Sequence, residues 1–111
     1  MRAHDLGRLG EEIACRYLQE QGCRILARNL VFSGGEIDVV AQRASELLFV
    51  EVKTRTKGNL AEGDYLPEAK IARLNKAIHG YLAQYPCEDW QPLLICVELD
   101  QGKAGVREVP L

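Results

Sequence analysis

Two alternating stretches joined by a short polar link constrain this chain more than any other feature of its sequence. Residues 36–42 put Ile37, Val39 and Ala41 on one face and Glu36, Asp38, Val40 and Gln42 on the other. Residues 47–55 put Val50, Val52 and Thr54 on one face and Phe49, Glu51, Lys53 and Arg55 on the other. Period-two alternation marks strands, because successive side chains leave a strand on opposite sides. The link Arg43-Ala44-Ser45-Glu46 leaves room only for an antiparallel return. With the turn centred on Ala44-Ser45, Asp38 falls opposite Glu51 and Glu36 opposite Lys53. A slip that keeps the faces together leaves Asp38, Glu51 and Lys53 on one side of the sheet.

The flanking sequence supplies what covers this hairpin. Residues 6–21 read as an amphipathic helix, with Leu6, Leu9, Ile13, Tyr17 and Leu18 at helical spacing and Gly22 as the stop. Residues 24–32 are rich in branched side chains and end at Ser33-Gly34-Gly35, which predicts a first strand and a turn. Residues 56–65, with two glycines, read as a loop. Pro67 suits the first turn of a second helix. Ile71, Leu74, Ile78, Tyr81, Leu82 and Tyr85 carry that helix to about Pro86. Residues 93–98 form a buried-looking strand, and residues 106–109 a short edge strand after a turn. The expected order is α-β-β-β-α-β-(β), a mixed sheet flanked by helices in a single α/β domain spanning 1–111.

Composition closes off several alternatives. A hydrophobic fraction of 47% with 27% charged residues is a globular balance, too apolar for a disordered chain. No apolar run reaches the length of a membrane span, and the N-terminus has no signal-like apolar segment, so a cytoplasmic protein is expected. The four cysteines form no CxxC pair, and neither His4 nor His79 stands at ligand spacing from them. They read as reduced, buried thiols. A net charge of -2 argues against a protein that coats nucleic acid by bulk charge.

The hairpin carries the chemistry. Two carboxylates directly across a ladder repel each other unless something compensates. Mg2+ or Mn2+ compensates well, taking carboxylate oxygens and completing its shell with water and phosphate oxygens. Asp38, Glu51 and the Val52 carbonyl are the candidate ligands. Lys53, two residues beyond Glu51 on the same face, is placed to orient water and to meet charge developing on a phosphate. The competing reading is a solvated face with ordinary cross-strand ion pairs, since Glu-x-Lys strands are common.

On the first helix, Glu12 reads as surface, within reach of Arg8 and Arg16. Glu11 borders the apolar stripe and is the candidate for a water-mediated contact with the metal. Arg55, Lys57, Lys70, Arg73 and Lys76 form a basic set that either lies in solvent or tracks phosphates. Trp90, Tyr65 and Tyr85 are open to base stacking or to packing.

Several blocks together carry a resemblance: Gly10-Glu11-x-x-Ala14-x-x-Tyr17-Leu18, Arg28-Asn29, Gly35-Glu36-Ile37-Asp38 and Phe49-Val50-Glu51-Val52-Lys53-Thr54-Arg55. They resemble the bacterial YraN-like family, small proteins similar to archaeal Holliday junction resolvases and to restriction-endonuclease-like PD-(D/E)xK nucleases. The resemblance implies a restriction-endonuclease-like core and metal-dependent cleavage of nucleic acid, with branched or structured DNA as substrate. It implies a metal-binding role for Asp38, an E-x-K pair in Glu51 and Lys53, a helix glutamate in Glu11, and a basic residue in Lys70. Glu36 is a supporting residue on the same face. Resolvase-like action would require a homodimer. One block departs from the family pattern: residues 90–95 lack the arginine and aspartate usual before the next strand.

Overall fold

The computed structural model describes residues 2–58 and 65–111. Of the expected loop over residues 56–65, residues 59–64 lie outside that description. The elements run α1 (Ala3–Glu20), β1 (Arg24–Phe32), β2 (Gly35–Arg43), β3 (Glu46–Thr56), α2 (Glu68–Gln84), β4 (Trp90–Asp100) and β5 (Lys103–Pro110). The sheet order follows the chain, β1-β2-β3-β4-β5. Among the described residues, only β3 and β4 are parallel, because α2 returns the chain to the starting end of the sheet between them. This is the expected mixed sheet, with the final strand longer than residues 106–109.

Each helix covers one face. Ala14, Cys15 and Leu18 of α1 bury against Val39, Ala41, Leu48, Val50, Leu93, Ile95 and Val97. Leu74, Ala77 and Ile78 of α2 bury against Ile37, Val40, Leu47, Phe49, Leu94 and Cys96. With both faces covered, the β3 run from Leu47 to Val50 is apolar throughout and buried. The Phe49 ring sits edge-on to Tyr81 at 5.3 Å and to Trp90 at 5.8 Å, so Trp90 packs in this layer. The four cysteines are free thiols, and Cys15, Cys23 and Cys96 are buried. Among the described residues, no helix is long and apolar enough to cross a membrane.

Two glycines bring the helices close to the sheet. A Cβ on Gly10 would lie 1.7 Å from Thr54 Oγ1 on β3. A Cβ on Gly35 would lie 2.0 Å from the Arg73 carbonyl oxygen on α2. This tight seating explains one difference from the sequence reading. Leu18 of the expected stripe is buried, and Ile13 and Tyr17 pack against the same layer, but Ala14 and Cys15 share the buried side and Leu9 is left 38% exposed. Likewise Tyr85 caps α2 and is 52% exposed, with its ring against Tyr81.

A second difference lies at the start of β2. Ile37 was expected beside Val39 and Ala41, yet it packs in the α2 layer while they pack in the α1 layer. The cause is local. β1 and β2 pair Arg28 with Val39 and Leu30 with Ile37, and Asn29 and Asp38 between them are not paired. Asn29 has φ 51°, a left-handed conformation in mid-strand. The chain turns over at that point, and the faces change sides.

Candidate functional site

Asp38 stands where the sheet forks. The β2–β3 ladder has the expected register, Arg43 with Glu46 through Val39 with Val50, and it ends there. Asp38 and Glu51 come next. Instead of another rung, the Asp38 carboxylate accepts the Val52 backbone N–H at 2.8 Å. Beyond this point β3 continues on β4 alone, down to Thr56 with Leu99.

The two carboxyls act on each other across the fork. Glu51 is pushed up from its ordinary 4.5 to about 8, first by burial, then by the negative charge of Asp38, with Lys70 opposing. Asp38 is raised as well, by burial and by Glu36, against the Val52 hydrogen bond that favours its charged form. Burial and mutual repulsion therefore make both carboxyls harder to ionise than free ones, Glu51 above all. A cleft of about 180 Å³ opens over them, lined by Glu36, Asp38, Glu51, Lys70 and Arg73.

Glu11 approaches from the opposite layer. Its carboxyl is raised by burial and then by Asp38, while the neighbouring Asn29 side chain and the charge of Arg28 lower it. It lines a larger groove, about 890 Å³, with Asn29, Arg28, Arg8 and His4. The smaller cleft is the stronger candidate for chemistry, because the face-to-face carboxylates are there. Among the described residues, no three His, Cys, Asp or Glu side chains converge into a ready-made metal cage. A cation here would need backbone or water oxygens besides Asp38 and Glu51.

The basic residues divide. Lys70 acts on both carboxyls, and with Arg73 it lines their cleft. Lys53 lines an adjoining cleft with Glu51, Val52 and Lys70. Its ammonium donates to the Tyr65 carbonyl at 3.3 Å and lies 4.6 Å from the Tyr65 ring centre. Arg55 and Lys57 turn toward β4, pairing with Glu98 and Asp100, each at 3.4 Å. Lys76 is exposed further along α2. Glu12 pairs with Arg28 at 3.2 Å, in place of the helical neighbours expected for it. Sequence reasoning assigned no role to Asn29. Its signal was an asparagine in a strand that is apolar from Leu30 to Phe32, at the position that faces Asp38.

These features define a small α/β protein with a carboxylate pair at a fork in its sheet and cationic helix residues above it. The chain belongs to the uncharacterised protein family UPF0102, which it matches over residues 10–100. It is 44% identical over 104 residues to a UPF0102 protein of Arthrobacter sp. (strain FB24), covering 90% of this chain and 82% of that one. A UPF0102 protein of Synechococcus sp. (strain JA-3-3Ab) is 44% identical over 113 residues, covering 92% and 82% of the two chains. Among solved structures, the chain resembles the crystal structure of a protein of unknown function, AF1548, with TM-score 0.53 and 24% identity. That match covers 86% of this chain and 50% of the other, so the chain spans half the length of that protein, and the likeness is one of fold.

Proposed function

We propose that this protein is a metal-dependent nucleic-acid phosphodiester hydrolase, endonuclease-like, acting on branched or structured DNA. One observation carries the reading: Asp38 and Glu51 come together at the fork, in a cleft that Lys70 and Arg73 also line. Such a pair is costly as a structural device and well suited to exchange its proton for a hard divalent cation. Asp38, Glu51 and the Val52 carbonyl would hold Mg2+ or Mn2+, and Glu11 would reach it through water. When bound, the ion supplies Lewis acidity to a phosphodiester and acidifies a water.

The protein's own residues do the rest. Lys70 and Arg73, above the carboxylates, take the phosphate that brings substrate into the cleft. Lys53, in the adjoining cleft, exchanges the Tyr65 carbonyl for the substrate and meets charge developing on the phosphate. Glu36 adds negative charge that favours a cation over the retained proton. Arg55, Lys57 and Lys76 lie outside this cleft, and any role they have is in holding flanking phosphates.

A second reading is a nucleic-acid-binding module of the same fold that does not cut. The seating of Lys53 on Tyr65 favours it. Calorimetry with Mn2+ on the wild type and on Asp38→Ala tests the site. Binding that survives the substitution, or no binding at all, removes the metal reading. Cleavage of linear, flapped and four-way DNA, with Lys53→Ala as control, then separates hydrolase from binder. Binding of four-way DNA without cutting in the presence of Mn2+ would establish the second reading.

A further inference from the structure

Among the described residues, Asn29 is the one non-glycine residue that adopts a left-handed backbone inside a strand and away from a turn: Ser33, Ala44 and Gln101, the others with positive φ, each sit at a hairpin turn. Asparagine tolerates this region better than most residues, but the conformation still works against a strand, and strain of this kind persists where the surroundings hold it. Three observations converge on what holds it. Asn29 lies across from Asp38, at the unpaired step of the β1–β2 ladder. Its side chain lines the α1 groove together with Glu11. And its side chain is near enough to the Glu11 carboxyl to favour that group's charged form against burial.

We propose that Asn29 is a positioning residue: its left-handed backbone swings the carboxamide out of the strand's alternation to hold the Glu11 carboxyl toward Asp38. The inference rests on the proposed reading of the site, and it adds a link between the two layers. Glu11 is on α1, Asp38 is on β2, and β1 supplies the group between them. An extended residue at position 29 would send its side chain into the α2 layer, as the alternation from Ala27 dictates. The left-handed turn redirects it. Leu30 and Ile37, the pair just beyond this step of the ladder, both pack in the α2 layer.

Asn29→Gly separates the two roles, because glycine keeps the left-handed backbone without strain and removes only the carboxamide. Its thermal stability is expected to match or exceed that of the wild type. Metal-free protein gives the direct test: the Asn29 side-chain 1H–15N resonances should shift in Glu11→Gln, relative to a control such as Glu88→Gln. Unmoved resonances would overturn the proposal whatever the metal does. Mn2+ calorimetry gives the functional test. Asn29→Gly should bind about tenfold more weakly, and the double variant with Glu11→Gln no more weakly than Glu11→Gln alone. Unchanged affinity in Asn29→Gly, or additive losses, would also overturn it. If the wild type binds no Mn2+, the metal reading of the site falls, and the positioning of Glu11 still stands or falls on the resonance shift.

Discussion

Replacing Glu51 by glutamine should make the protein more stable above neutral pH and flatten its pH dependence. The folded chain keeps a proton on Glu51 up to about pH 8, whereas an unfolded glutamate releases it near 4.5. Between those values the folded state binds more protons than the unfolded state, so stability falls as pH rises. At about 1.4 kcal/mol per pH unit, the interval sets a ceiling of roughly 5 kcal/mol. The cleft is open to water and Asp38 shares the proton, so roughly 2 kcal/mol is the working figure. For a domain of this size that is a melting temperature roughly 8 °C lower at pH 8.5 than at pH 5.5. Glutamine mimics the protonated acid and has nothing to release. Thermal unfolding followed by circular dichroism across pH 5 to 9, in chelator and at constant ionic strength, measures the difference between the two proteins. Parallel curves for wild type and Glu51→Gln would refute the reasoning, as would a wild type that gains stability over this range.

Three further outcomes follow from the packing. Gly10→Ala forces a methyl group onto Thr54, and urea unfolding should show a loss of roughly 1–3 kcal/mol, partly recovered by adding Thr54→Ala. Phe49→Ala empties the aromatic centre of the α2 layer and should cost roughly 3–5 kcal/mol in the same assay. Tyr17 donates to Glu108, which holds its phenol up to about 12; ultraviolet titration of Glu108→Gln should bring that ionisation down toward the ordinary 10.

The central hairpin was legible because its information is local. Alternation gave the faces, and a link of minimal length gave the register, so the Asp38–Glu51 opposition followed from arithmetic on the sequence. The ladder bears out that register up to Val39 and Val50. What the alternation did not contain was the fork, since a strand that stops pairing has the same period as one that continues. Nor did it reveal the left-handed Asn29 or the change of face beside it, beyond which Ile37 packs in the α2 layer. Helix faces were harder for a different reason. Large apolar residues dominate a periodicity search, whereas close approach to a sheet selects small ones, so Gly10 and Ala14 mark the buried side of α1 and Leu9 does not. The placement of Lys70 beside the carboxyls depends on how α2 crosses the sheet, with Gly35 against the Arg73 carbonyl. Spacing along a single helix does not encode that.

The hydrogen bond from Val52 to Asp38 has a consequence for measurement. Most amides in the middle of a sheet report on their strand neighbour, and their exchange with solvent follows unfolding. The Val52 amide is tied instead to a side-chain carboxylate, so its resonance position should follow the charge on that carboxylate. The sheet thereby carries a gauge in its own backbone: one amide signal, readable without a label or a substrate, that registers whatever arrives at the carboxylate pair.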